Sequence, residues 1–288
     1  MMNRHDKQEG ILFGLAAGDR IGGPIRMAIQ LSESLISQRA FDLNHIGATY
    51  LKWWNEEGFD TGPVAEQVFQ LVNTGLSFRE AAGIVNQEAD GMTAGCNPAH
   101  RSAVLAMASF ISEDRLAYCA KQEAAITHHH PLAGDAAAAI VILCRSLIEG
   151  MEWEMAVQKA SEGRLPDTWD ALILTSAKPG GKGGYAPEVL KAALYFIHNS
   201  SSFSEALNSA IRFAGPSNYC PVLVGIVGGA RWGSASILES DLAHCDVLSA
   251  VSSISTFFKN IGNMSWFDSI ISSKVGNCGR IFGHLFYV

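Results

Sequence analysis

Apolar residues recur along this chain at helical spacing. Val64, Val68, Phe69, Leu71 and Val72 fall on one face of a helix that opens at Pro63 and stops before Gly75. The same period runs through 103–111, 115–126, 136–149, 187–197, 205–213 and 242–258, whereas the alternation that marks a half-buried strand is scarce. Helix starts are punctuated to match. Ser77 with Glu80, and Ser202 with Glu205, fit the capping box, in which a hydroxyl and a carboxylate satisfy orphan amides. Asn97-Pro98 reads as N-cap and first helical residue of a helix over 98–111, and Pro131 opens another. The small residues of 14–18 and 225–230 leave little to hold helix backbones apart. There is no internal repeat and no long linker. The pattern predicts an all-α fold in a single domain over 1–288, with 263–288 an unassigned C-terminal extension packed on the bundle.

Composition narrows the picture. With 48% hydrophobic and 17% charged residues over 288 positions, the chain has apolar surface enough for a sizeable core, which excludes disorder. A formal charge of −7 without any basic block argues against nucleic acid as the main partner. The longest uninterrupted apolar run, Ala136 to Cys144, is well short of the roughly 20 residues a bilayer span needs. Charges of both signs in Met1 to Gly10 do not read as a signal peptide. A cytoplasmic protein with no membrane partner is expected. Cysteines at 96, 119, 144, 220, 245 and 278 form no Cys-x-x-Cys pair and read as buried thiols.

Several segments set polar residues at helix ends among small ones, where a ligand can approach backbone amides. These are Gly18-Asp19 with Arg26, Phe59-Asp60-Thr61-Gly62, Gly95-Cys96-Asn97 with Arg101, Thr127-His128-His129-His130, and Gly215-Pro216-Ser217-Asn218-Tyr219. Asp60 and Thr61 serve equally well as caps for the helix after Pro63. Asn97 is expected to cap even if it also touches a ligand. Three consecutive histidines cannot share one metal from a helix, since successive side chains point about 100° apart; a hydrogen-bonding pocket wall suits them better than a metal site. Lys178-Pro-Gly-Gly-Lys-Gly-Gly184 lacks the spacing of a phosphate loop, because Gly183 stands where a metal-binding hydroxyl is needed. It is expected to be an ordinary surface loop rather than a cover over an anionic ligand.

Taken in order, these segments resemble the ADP-ribosylglycohydrolase family over about 10–235. Residues 11–26 look like its Gly-Asp-Ala-x-Gly-x-x-x-Glu opening, and 59–75 follow its Thr-Asp-Asp-Thr segment and the next helix. Gly95-Cys-Asn-Pro-Ala-His-Arg101 is similar to Gly-Asn-Gly-x-x-Met-Arg, and Thr127-His128 to its Thr-His pair. Ala214 to Ala230 tracks Gly-Gly-Asp-Thr-Asp-Thr-Asn-Ala-x-x-x-Gly-x-x-x-Gly-Ala without a gap. The resemblance implies an orthogonal helical bundle whose helix ends form one ADP-ribose cleft, and a dinuclear magnesium site built from the two aspartate segments beside an acidic residue of the opening loop.

The chain departs from that pattern at the metal ligands. Asp60 matches the first aspartate of the Thr-Asp-Asp-Thr segment, but Phe59, Thr61 and Gly62 replace its other residues. Pro216, Ser217, Asn218 and Tyr219 stand where Asp, Thr, Asp and Thr are expected, and Arg26 falls at the opening glutamate. Magnesium requires hard, mostly anionic oxygen donors, so no metal ligand and no cofactor is assigned.

The expected activity is hydrolysis of an N- or O-glycosidic bond in an ADP-ribosylated or related ribosyl substrate, small or protein-linked, without the usual magnesium pair. Asp60 would act as general base and Asp135 as the acid for the leaving group. Asp19, Arg26, Thr61, Asn97, Arg101, His128, Ser217, Asn218 and Tyr219 would bind substrate, with Arg26 supplying the positive charge that metals otherwise bring. Two alternatives stand beside it: an ADP-ribose or nucleotide-binding protein that does not cut, with Asp60 and Arg26 ion-paired, and a scaffold with no ligand.

Overall fold

The computed structural model describes residues 3–263 other than 175 and 177. Fifteen α-helices span these residues. The first eight are α1 (Arg4–Gly18), α2 (Gly23–Gln38), α3 (Leu43–Glu56), α4 (Pro63–Asn73), α5 (Phe78–Glu88), α6 (Asn97–Arg101), α7 (Glu113–Ala124) and α8 (Pro131–Ile148). The rest are α9 (Trp153–Ser161), α10 (Pro166–Ile173), α11 (Ala186–His198), α12 (Phe203–Ala214), α13 (Tyr219–Trp232), α14 (Glu239–Leu242) and α15 (Leu248–Asn263). No strand forms among the described residues, where a single antiparallel bridge joins Gly95 and Tyr185. The expected extension over 263–288 lies, beyond Asn263, outside the described residues.

The axis of the fold is the contact between α1 and α13. Gly10, Gly14 and Gly18 lie one turn apart on α1 and meet Gly229, Gly225 and Pro221 on α13. A Cβ at Gly10 or Gly14 would fall on the carbonyl of its partner glycine, and one at Gly18 on the carbonyl of Pro221. The residue order reverses between the two helices, so they run antiparallel, and the end of α1 meets the start of α13. Around this pair one continuous core gathers side chains from α2, α3, α7, α8, α11 and α12, while Val68, Ala81, Ala82 and Val85 form a small core between α4 and α5. By length and hydropathy α8 could cross a bilayer, but 89% of its apolar window is buried by neighbouring helices. It is the central helix of the core.

Two helices break where periodicity alone predicted continuity. The stretch 98–111 is α6 followed by a 3-10 turn over Ser102–Met107. The buried Arg145 guanidinium on α8 donates to the carbonyls of Leu105, Ala106, Ala108 and Ile111, drawing the backbone around itself and out of the α-helical ladder. The stretch 242–258 divides into α14 and α15 because its middle is used elsewhere. His244 Nε2 bonds the Asp19 carbonyl, and Asp246 pairs with Arg26. Of the capping boxes, Ser77 and Glu80 form theirs in full. Ser202 accepts from the Glu205 amide, but Glu205 turns to the amide and hydroxyl of Ser201 instead.

Candidate active site

The α1–α13 contact sets the back wall of a cleft. Asp19 ends α1 with its carboxylate buried, accepting from the amides of Ile21 (3.2 Å), Gly22 (2.8 Å) and Ile25 (2.8 Å). It thereby fixes the turn into α2 and its first amides. Asn218, just before α13, donates to Asp19 at 2.7 Å and accepts from the Arg20 amide at 3.0 Å. Gly23 lets the segment after α3 close over this turn, since a Cβ there would collide with the Asp60 carbonyl. Neither Asp60 nor Thr61 caps α4: its N-cap is Gly62, with φ of 76° and no side-chain bond. Asn97 does not cap α6 either; it lies inside the first turn and donates from Nδ2 to the Thr61 carbonyl at 2.8 Å.

These pieces enclose a cavity of about 310 Å³ lined by Gly23, Met27, Asp60, Thr61, Asn97, His100, Arg101, Lys182, Ser217, Asn218 and Tyr219, among others. A second cavity of about 520 Å³ shares Pro63, Asn97 and Tyr219 with the first and extends to Val64, Met92, Gly95, Cys96, His128, His130, Leu132 and Tyr185. The two form one cleft with two lobes, and Tyr219 stands between them. The glycine-rich loop is a wall of this cleft, not an ordinary surface loop. Ser217 Oγ donates to the Lys182 carbonyl at 3.1 Å, and the Cys96 amide to the Gly184 carbonyl at 2.9 Å.

Beneath the lobes lies a buried polar chain. Glu123, fully buried, accepts from Arg101 Nε at 2.6 Å and from the Tyr50 hydroxyl at 2.8 Å. Arg101 Nη2 donates to Thr127 Oγ1, and that hydroxyl contacts His128 Nδ1, both at 2.9 Å. The buried Thr127 hydroxyl accepts from Arg101 and has no acceptor for its own proton among its contacts other than His128 Nδ1, so it donates there, which leaves the proton of the neutral ring on Nε2. Gly95 leaves room for that ring: a Cβ there would lie 2.9 Å from Nε2. His100 bonds the Tyr219 carbonyl through Nε2 at 3.1 Å, so its ring also carries its proton there. Burial lowers both histidines to about 3, with Arg101 adding to the effect, so both are neutral at physiological pH. Burial also raises the Tyr219 phenol, helped by Cys96 and Asp60, and keeps it protonated.

Of the residues that the sequence pointed to, Asp60, Thr61, Asn97, Arg101, Ser217, Asn218 and Tyr219 line the first lobe and His128 the second. Three lie elsewhere. Asp19 is behind the wall, its oxygens taken by amides. Arg26 turns away to Asp246 at 2.6 Å, the Gly22 carbonyl and the Phe59 ring, and does not pair with Asp60. Asp135, fully buried in α8, is held by Lys121 at 2.8 Å, by Arg164 and by the Leu165 amide; it ties α8 to its neighbours and lines neither lobe. Sequence reasoning missed His100, Met27 and Lys182. His100 precedes Arg101 in a motif already singled out, and Lys182 is the charged residue of a loop whose anchors become visible only in three dimensions.

The donor set does not suit two magnesium ions. Asp60 is the one carboxylate lining the first lobe; Ser217 and Tyr219 are neutral, and Asn218 has both amide atoms engaged. Among the described residues no three His, Cys, Asp or Glu side chains converge as a metal site would require.

A model of the ADP-ribosylglycohydrolase family matches residues 25–260. The chain belongs to the ADP-ribosylglycohydrolase family. A solved ADP-ribosylglycohydrolase-related protein complex matches with a TM-score of 0.74 over 90% of this chain and 98% of that one. At 22% identity the likeness shows the shared fold. None of the curated protein sequences matches the chain. Within this family frame, the glycohydrolase fold accounts for the helix ends gathered around the cleft, and the side chains described above set its chemistry.

Proposed function

We propose that the cleft binds an ADP-ribosyl or related ribosyl group, on a small molecule or a protein, and cleaves its N- or O-glycosidic bond without a dinuclear magnesium site. The observation that carries this reading is Asp60: exposed on the first lobe, it caps no helix and pairs with no cation among the described residues. Asp60 takes a proton from water as the water oxygen bonds the anomeric carbon, and the glycosidic electron pair leaves with the aglycone. Asp135 is held too far into the core to protonate that leaving group. Tyr219, protonated and facing both lobes, supplies the proton instead. The cleft draws on residues from Ile21 to Tyr219, so the chain works as a single domain in this reading. The free thiols of Cys96, Cys119, Cys144, Cys220 and Cys245 suit a cytoplasmic setting.

A second reading, ADP-ribose binding without cleavage, draws support from the same lining: glycoside hydrolysis commonly uses two carboxylates, and only one faces this cleft. Calorimetric titration of ADP-ribose into chelator-stripped protein, repeated with magnesium and followed by assays of ADP-ribosylated substrates, separates the two. Equal binding under both conditions with release of ADP-ribose is expected, and Asp60→Asn should bind without turnover. Binding without release in the wild type leaves the second reading. A requirement for magnesium overturns the donor argument.

A further inference from the structure

We propose that Lys182, on the glycine-rich loop, is the residue that recognises the phosphate groups of the ligand; this rests on the reading of the cleft as an ADP-ribosyl site. The first lobe is lined by two permanent cations, Arg101 and Lys182. Arg101 is spoken for. It is fully buried, its charge is met by Glu123 at 2.6 Å, and its remaining donors reach Thr127 and, at 4.0 Å, the Met27 sulfur. His100 is neutral, and Arg26, which the sequence suggested for this role, is held outside by Asp246.

Lys182 differs on each count. It is exposed, pairs with no carboxylate among the described residues, and rests 5.6 Å over the Phe213 ring. Its place over the lobe is set by its backbone rather than by its ammonium. The Lys182 carbonyl takes the Ser217 hydroxyl, and two residues on the Gly184 carbonyl takes the Cys96 amide. The ammonium is therefore free to swing from the aromatic face to an anion without undoing the loop. The uncompensated charges on the lobe are then Asp60 and Lys182, one of each sign. A cation suits a pyrophosphate through charge-assisted hydrogen bonds, and a base suits a glycosidic carbon attacked by water; the lobe carries one residue for each.

The test is calorimetric titration of ADP-ribose, and separately of inorganic pyrophosphate, into wild type, Lys182→Gln, Lys182→Glu and Lys182→Arg at low and high salt. Losing one charge-assisted contact should weaken ADP-ribose binding about tenfold in Lys182→Gln and further in Lys182→Glu. Lys182→Arg should restore it, and the glutamine variant should lose part of the salt dependence. The anchors are main-chain atoms, so a merely structural role for Lys182 would not give this order. Equal ADP-ribose binding by wild type and Lys182→Gln overturns the inference and leaves the ADP-ribosyl reading standing. Pyrophosphate binding that depends on Lys182, with no binding of ADP-ribose, keeps the anion site and removes that reading. Binding of neither removes both.

Discussion

Replacing Glu123 tests the polar chain under the cleft most directly. In Glu123→Leu the Arg101 guanidinium, 1% exposed, keeps its charge and loses the carboxylate 2.6 Å away, and the Tyr50 hydroxyl loses its acceptor at 2.8 Å. Breaking a buried ion pair from one side costs about 3–5 kcal/mol. That is a large share of the roughly 5–15 kcal/mol that holds a typical domain folded. Glu123→Gln keeps an acceptor for both donors and removes only the countercharge, so a smaller loss of about 2 kcal/mol is expected. The instructive variant is the double replacement Arg101→Met with Glu123→Leu, in which neither charge remains. It should be less destabilised than Glu123→Leu alone, with a coupling energy of a few kcal/mol. Urea unfolding read by circular dichroism, with unchanged denaturant slopes, measures all three. A loss below about 1 kcal/mol in Glu123→Leu, or strict additivity in the double variant, would refute the reasoning.

Two further outcomes follow from the geometry. Gly225→Leu puts a side chain onto the Gly14 carbonyl and should lower stability by at least about 3 kcal/mol in a thermal melt, whereas Gly83→Ala, on α5 with open space around it, should cost nothing measurable. Acid should destabilise the fold through His100 and His128, both held neutral with values of about 3 against an ordinary 6.5. Below pH 6.5 the unfolded chain binds protons that the folded one refuses, so stability is intact above that value and falls toward pH 3. At pH 5 the loss is about 2 kcal/mol for each ring, and equal urea midpoints at pH 7.5 and 5 would contradict it.

The helices were legible because their signals are local. Pro63, Pro131 and the Ser77–Glu80 box each act within one turn of chain, and the small residues around 14–18 and 225–230 forecast the closest helix contact. What the sequence could not convey is where a side chain goes after leaving its helix. Asp19, Asp135 and Arg26 carry the charges a site needs, yet each meets a partner that no spacing reveals: the amides of the α2 turn, Lys121 with Arg164, and Asp246. Arg145 broke a predicted helix for the same reason, by collecting four carbonyls 34 to 40 residues away. Conversely, Lys182 looked like loop decoration until the Ser217 and Cys96 anchors placed it over the cleft.

The bond between Asn218 and Asp19 joins positions 199 apart. During synthesis at the ribosome α1 emerges long before α13, the helix that it must clasp. For most of translation the glycine face of α1 has nothing to close upon, and the α1–α2 turn lacks its amide partner. A chain cut between Gly184 and Asn218 therefore carries Asp60, Arg101 and Lys182 without the wall that gathers them. The first lobe closes only once α13 has been made, late in the order of the helices, and a chain truncated ahead of α13 lacks that cavity.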